Sequence, residues 1–109
     1  IGMINGAALC KKAGVSLDAF KHIYMNSSSI IEQESKRIIE AIDSENTKET
    51  EASIGAWGGG QEALLAVSKS LNSNLDFQLA LNSLFQQAVK AGLENHDLSA
   101  MFQIFQTTD

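Results

Sequence analysis

Few residues in this chain of 109 are of the types that carry out chemistry. The two histidines, His22 and His96, form neither a His-x-x-x-His nor a Glu-x-x-His pair, so their spacing does not predict a metal site. The single cysteine, Cys10, lies among small residues, where we expect packing rather than reactivity. With no acid–base pair or activated nucleophile in view, we assign no catalytic and no metal-binding residue, and we expect no enzymatic activity from this chain alone.

The glycine run Gly58-Gly59-Gly60 is the one segment that could admit a ligand. A phosphate loop would need a preceding strand and a following Lys-Ser or Lys-Thr pair, and the sequence has neither. Two alternatives remain, which are a loop between two helices and one continuous helix with a bare stretch of surface. Polar and apolar residues keep helical phase across the glycines and favour the continuous helix. This row consists of Ile54, Trp57, Gln61, Leu64 and Leu65.

A bare stretch of helix lets another backbone or a ligand come close. Trp57 lies one turn before Gln61, so the two would form a shallow pocket with an aromatic wall. Trp57 could instead be a core or interface residue, and Gln61 could be a hydrogen-bonded polar group of an interface. Both alternatives stay open at this point.

The composition predicts a single, globular, all-helical domain. The chain has 44% hydrophobic and 19% charged residues and no proline, which favours long uninterrupted helices. Its net charge is -5 and it has no basic stripe, so we expect no nucleic-acid partner. No apolar run approaches the roughly 18 residues that span a bilayer, so we expect no membrane partner. A single cysteine fits a reducing compartment, and we expect a cytoplasmic protein.

Periodicity and capping signals predict a bundle of about six helices. Ser16 and Asp97 should begin helices as N-caps, whereas Gly14 and Gly92 should end them. The predicted helices cover residues 1–13, 17–25, 29–44, 51–71 and 76–91, and a short one after 97. We expect the third helix to bury Ile31, Ile38 and Ile42. The last helix should turn Leu98, Met101, Phe102 and Phe105 inward.

The order of these elements resembles the C-terminal helical domain of the β-hydroxyacid dehydrogenase and imine reductase superfamily, which is of the 6-phosphogluconate dehydrogenase type. IGMINGAALCKKAGV (residues 1–15) is similar to the end of the helix that connects the two domains of that family, and SLDAFKHIY (16–24) to the next helix. Residues 52–106 resemble the closing helices, including an Ala-Gly-x-x-x-x-Asp junction at Ala91-Gly92 and Asp97. The resemblance covers nearly the whole chain, although residues 26–50 carry little of it.

The resemblance implies that residues 1–109 are the dimerisation and substrate domain of an NAD(P)-dependent oxidoreductase. The parent enzyme would bind NADP or NAD in an N-terminal domain that this chain lacks, and this fragment would bind none. It would act, as a homodimer, on a small molecule, either a 3-hydroxyacid-type substrate, as in the 3-hydroxyisobutyrate dehydrogenase-like branch, or an imine. The family's pocket-facing row corresponds to Ile54, Trp57, Gly60 and Gln61.

Three departures concern the choice of branch. Imine reductases often have alanines at the glycine run and a histidine near Ala63, and they tend to have histidine at Leu93. The start at Ile1 rather than at a methionine suggests a fragment of a longer protein. The alternative reading is a stand-alone helical interaction module, which predicts a folded monomer with a groove. A carrier of a small ligand at the glycine-rich, Trp57-walled stripe is a third and weaker idea.

Overall fold

A computed structural model describes residues 1–106. Its elements are α1 (Gly2–Lys12), α2 (Leu17–Asn26), α3 (Ser28–Ser44), α4 (Ile54–Ser70), α5 (Asp76–Lys90), a 3-10 turn (Leu98–Ala100) and α6 (Met101–Phe105). Within this described range there is no strand, only one isolated bridge between Ser53 and Asp97. The prediction of an all-α bundle of about six helices is therefore confirmed.

The predicted helix ends are found where the local signals place them. The Ser16 hydroxyl accepts a hydrogen bond from the Ala19 N–H at 3.0 Å and caps α2. Gly14 and Gly92 have φ angles of +85° and +82°, which side chains rarely adopt, and each follows the end of a helix. The helix expected from residue 51 begins instead at Ile54, because Ser53 acts as its N-cap.

The hydrophobic core lies in the second half of the chain, where α4 and α5 pack together and the 3-10 turn and α6 close one end. Its buried members are Ile54, Ala88, Leu93, Ala100 and Ile104, with Leu84, Phe85 and Met101 packed against them. Burial of these side chains is the main favourable term that holds α4, α5 and α6 together.

The expected inward face of the last helix was partly wrong. Phe102 and Phe105 are 45% and 70% exposed, whereas Ala100 and Ile104 are buried. The 3-10 turn at residues 98–100 has about three residues per turn instead of 3.6, so it changes the phase before α6 begins. A helical projection that starts at Asp97 therefore assigns the wrong side chains to the core.

The buried row expected for α3 was also wrong in part. Ile31 is 46% exposed, and Ile38 and Ile42 are only half-buried. No residue of α2 or α3 is buried within the part of the chain that the structure describes. The face is amphipathic, but nothing in this chain covers it fully.

Helix α4 runs without interruption through all three glycines, as the phase of the apolar row predicts. A Cβ added at Gly59 or Gly60 would have no other atom within 4 Å, and one at Gly58 would only touch Phe85 at 3.5 Å. The close approach within the chain occurs at Gly55 instead. There an added Cβ would lie 2.9 Å from Glu94 Cγ and 3.3 Å from the Glu94 carbonyl oxygen.

The surroundings of Gly59 and Gly55 predict different changes in stability when each glycine is replaced by alanine. Gly59→Ala should raise the free energy of unfolding by roughly 0.5–1 kcal/mol, because alanine is the better helix former and its methyl group meets open space. Gly55→Ala should lose that gain, because the methyl group would displace Glu94, whose carbonyl accepts the Gly55 N–H at 2.8 Å. Urea unfolding of both variants measures the difference. Equal stabilisation by the two substitutions would contradict the close contact at Gly55.

Candidate functional site

The four residues predicted to face a pocket all lie on α4, but they differ in burial. Ile54 and Gln61 point into the molecule, with Ile54 wholly buried and Gln61 buried beside α5. Trp57 and Gly60 are exposed. At 100° per residue, the four positions lie within about 120° of the helix, with Trp57 about 40° from Gln61 and about 60° from Gly60. They therefore share one face of α4, of which Ile54 and Gln61 form the buried part and Trp57 and Gly60 the exposed part.

The Gln61 amide is engaged in a polar chain that links three helices. Its Nε2 donates to the Gln78 carbonyl oxygen at 2.8 Å, and Gln78 Nε2 donates to Asn5 Oδ1 at 2.9 Å. Gln61 Oε1 is buried without a hydrogen-bond partner. The amide nitrogen of Gln61 thus contributes to the contacts among α1, α4 and α5, while its amide oxygen has no hydrogen-bond partner.

Trp57 is half-exposed and forms a wall of a cavity of about 580 Å³. This cavity opens between the start of α4, the middle of α3 and the loop that precedes α4. The other residues that line it are Glu34, Arg37, Glu49, Thr50, Glu51, Ala52 and Asp97. An aromatic wall facing acidic groups suits a small molecule that has an apolar body and a polar or cationic end.

Asp97 forms the polar floor of this cavity. Its Oδ1 accepts hydrogen bonds from the Thr50 hydroxyl at 2.7 Å and from Arg37 Nη1 at 3.1 Å. Its Oδ2 accepts the backbone N–H of Ser99 at 3.0 Å and also the Ser99 hydroxyl. Burial acts to raise the pKa of Asp97, but the hydrogen bonds from Ser99, Thr50 and Arg37 outweigh it and hold the pKa well below its usual range. The carboxylate is therefore charged and fully engaged at neutral pH.

Arg37 connects Asp97 to Glu34, and all three residues line the cavity. Its guanidinium binds Glu34 Oε2 at 2.9 Å as well as Asp97, and these contacts raise the pKa of Arg37. The ion pairs among residues 1–106 are those of Arg37. Neither Arg37 nor Thr50 could be identified from the sequence, because both contact Asp97 across about 50 to 60 residues.

A second exposed feature of α4 is an apolar stripe, which consists of Trp57, Gly60, Leu64 and Val67. The three side chains of this stripe are 50%, 42% and 47% exposed, at spacings of three or four residues that place them on one side of the helix. An apolar stripe in water favours contact with another apolar surface. On the opposite side of α4, Gly55, Gly58 and Gly59 line a groove of about 490 Å³ against α5.

The two histidines and the cysteine lie in different parts of the fold. His96 Nδ1 lies 3.1 Å from the Thr47 hydroxyl, and the His96 carbonyl accepts the Ile54 N–H at 2.8 Å, so the residue connects the segment before Asp97 to the loop and first turn of α4. His22 lies on the exposed side of α2, and Cys10 is half-buried. Nowhere in residues 1–106 do three His, Cys, Asp or Glu side chains gather as metal ligands.

Neither a protein-family model nor a curated protein matches the sequence. Solved structures do match. An imine reductase from Pseudomonas sp. is 25% identical with a TM-score of 0.86, and the match covers 94% of this chain and 35% of that one. A reductive aminase from Aspergillus terreus, in complex with NADPH and ethyl levulinate, is 21% identical with a TM-score of 0.87, and the match covers 95% of this chain and 37% of that one.

A further match is a variant imine reductase from Myxococcus stipitatus in complex with NAD+, at 19% identity and a TM-score of 0.90. That match covers 95% of this chain and 37% of the reductase. The resemblance inferred from the sequence is thereby confirmed, since the chain has the all-helical fold of the C-terminal domain of imine reductases and reductive aminases. It spans little more than a third of the length of the proteins it matches.

None of the helices in residues 1–106 is long and apolar enough to cross a bilayer.

Proposed function

We propose that this chain is the C-terminal dimerisation and substrate-pocket domain of an NAD(P)-dependent oxidoreductase that reduces imines. The observation that carries the proposal is the match of 94% of the chain, at 25% identity, to the Pseudomonas imine reductase. The matching structures named above are imine reductases and a reductive aminase, which favours an imine over a 3-hydroxyacid-type substrate.

In this proposal the two pairs of α4 residues have different tasks. Trp57 and Gly60 face outward, so Trp57 contacts the substrate and the bare Gly60 leaves room for it. Ile54 and Gln61 lie beneath them and hold α4 against the core and against α5. The domain thus shapes the pocket and excludes water, while the reacting groups come from elsewhere in the parent protein.

The glycine run of α4 does not form a dinucleotide-binding loop. A dinucleotide fingerprint places glycines between a strand and a helix, whereas Gly58, Gly59 and Gly60 lie inside α4 and no strand precedes them. The nicotinamide cofactor of the parent enzyme would therefore be held by a different domain, and no step of the chemistry is assigned to the residues of this chain.

Replacement of Trp57 tests the proposal in the full-length protein that carries this domain. Trp57→Ala should lower kcat/KM for NADPH-dependent reduction of a cyclic imine at least tenfold, about 1.4 kcal/mol, mainly through a higher KM. The reason is the loss of the aromatic wall of the cavity, because Trp57 is half-exposed and its removal should leave the fold intact.

The matched control is Leu79→Ala, which truncates an equally exposed apolar side chain on α5 and should leave kcat/KM unchanged. The proposal is wrong if the full-length protein oxidises no nicotinamide with any imine. Equal kinetics for the Trp57 and Leu79 variants would remove Trp57 from the pocket. A stand-alone interaction module, by contrast, predicts a chain that functions without a nicotinamide.

A further inference from the structure

One wall of the Trp57 cavity is formed by the loop between α3 and α4 rather than by a helix. Consecutive residues of this loop line the cavity, namely Glu49, Thr50, Glu51 and Ala52. A loop is more mobile than a helix unless contacts hold it in place. The position of this wall relative to Trp57 therefore depends on the hydrogen bonds that the loop makes.

Both ends of the loop are anchored to the segment that precedes the 3-10 turn. The Thr47 carbonyl accepts the Asp97 N–H at 2.7 Å, and the Ile54 N–H donates to the His96 carbonyl at 2.8 Å. The second bond also fixes the first turn of α4, which carries Trp57. The residues that line the cavity lie between these two anchors.

Between the anchors, the Thr50 side chain ties the loop to the floor of the cavity. Its hydroxyl oxygen lies 2.7 Å from Asp97 Oδ1 and 2.8 Å from the Ala52 carbonyl oxygen, and it accepts the Ala52 N–H at 3.1 Å. A hydroxyl has a single proton, and the charged carboxylate is the stronger of its two acceptors. One side chain thus closes the turn at residues 50–52 and fixes that turn to Asp97.

We propose that Thr50 is a positioning residue for imine binding, because its hydroxyl holds the loop wall of the cavity in place before the substrate arrives. Thr50 acts through the loop and through Asp97, so it is not a catalytic residue. The inference rests on the proposed function of the Trp57 cavity. It adds a residue that the shape of the cavity depends on.

The expected effect of this positioning is on binding. A loop that is already fixed loses little conformational freedom when a ligand binds, whereas a loop released from its tie must be ordered at that moment. Loss of the Thr50 hydroxyl should therefore raise KM for the imine and leave kcat unchanged, since KM reports binding when chemistry is slower than substrate release. A merely structural role would instead lower stability and the amount of active protein, without a change in KM.

Thr50→Val in the full-length protein that carries this domain tests the proposal, because valine keeps the shape of the side chain and removes the hydroxyl. KM for a cyclic imine should rise at least fivefold, while kcat and KM for NADPH stay within twofold of the wild type. Thr50→Ala also lacks the hydroxyl and should show the same rise, which keeps the test valid if valine does not fit. Thr50→Ser keeps the hydroxyl and should restore KM to within twofold of the wild type. Urea unfolding of each variant establishes that the proteins compared are folded.

Thr47→Val is the matched control. It is the same substitution in the same loop, and it removes a long-range hydroxyl contact to His96 Nδ1 at 3.1 Å. Thr47 is not among the residues that line the Trp57 cavity. Its replacement should therefore leave KM for the imine at the wild-type value.

Three outcomes would overturn the inference while the wild type reduces the imine. One is an unchanged KM in Thr50→Val and Thr50→Ala, and another is a failure of Thr50→Ser to restore KM. The third is an equal rise of KM in Thr47→Val, which would assign the effect to a general loosening of the loop. A wild-type protein that oxidises no nicotinamide with any imine would instead refute the proposed function, and the inference would fall with it.

Discussion

Replacement of Asp97 by alanine is expected to lower the free energy of unfolding by about 3 kcal/mol. The side chain is buried and accepts hydrogen bonds from Thr50, from Arg37 and from both the hydroxyl and the backbone N–H of Ser99. Its removal leaves the Ser99 N–H and the Thr50 hydroxyl without their acceptor and takes away the cap of the 3-10 turn. Loop 45–53, α3 and the 3-10 turn would each lose a hydrogen bond to the Asp97 carboxylate.

Chemical denaturation of the wild type and three variants measures this effect. Arg37→Met should cost less than about 1 kcal/mol, because the Arg37 side chain is 43% exposed and water screens its ion pairs. Asp76→Ala removes an exposed acid from the first turn of α5 and should cost a few tenths to about 1 kcal/mol. If Arg37→Met were as damaging as Asp97→Ala, the ion pair and not the capping network would be the main contribution.

The same network predicts how stability depends on pH. The pKa of Asp97 is lowered in the folded state, so its stabilising contribution is present above the unfolded-state pKa of about 3.9 and is lost as the pH falls below that value. The free energy of unfolding should therefore decrease from about pH 5 downward. Asp97→Asn should be less stable at neutral pH and should show a shallower acid dependence. An unchanged slope in Asp97→Asn would assign the acid sensitivity to other carboxylates.

The local part of this network could be predicted from the sequence, but its long-range part could not. An aspartate before an apolar helical pattern is a cap signal, and Asp97 does cap the following turn. Arg37 and Thr50 lie 60 and 47 residues away from Asp97, and no pattern within either segment indicates the contact. The cavity beside Trp57 could not be predicted for the same reason, since it forms only where α3, α4 and the loop between them meet.

The wrong predictions of core residues have a related cause. Helix positions follow from spacing and caps, which are local, and these predictions are confirmed. Which side of a helix is buried depends on its neighbours, so Ile31 and Phe105 remain exposed although their spacing is that of core residues. For α3, no other described segment covers the exposed side of the helix, whereas for α6 the 3-10 turn changes the phase.

Truncation of Ile54 should have an effect as large as that of Asp97. Ile54→Ala is expected to lower the free energy of unfolding by about 3–4 kcal/mol, because the side chain is wholly buried against Ala88, Leu93 and Ala100 and its loss leaves a cavity. Leu79→Ala, at a site that is 47% exposed, should cost less than about 1 kcal/mol. Equal losses in urea unfolding would contradict the central position of Ile54.

A milder substitution separates the two roles that Ile54 can have. Ile54→Val should cost about 0.5–1.5 kcal/mol and leave the domain folded, so that kinetics of the full-length protein can be measured. Because Ile54 is covered on every side within the chain, we expect an unchanged KM for the imine together with the loss of stability. A KM that changed as much as in Trp57→Ala would mean that Ile54 reaches the substrate when the pocket is assembled. Ile54 and Gln61 would then line the pocket in addition to holding α4 against the core and α5.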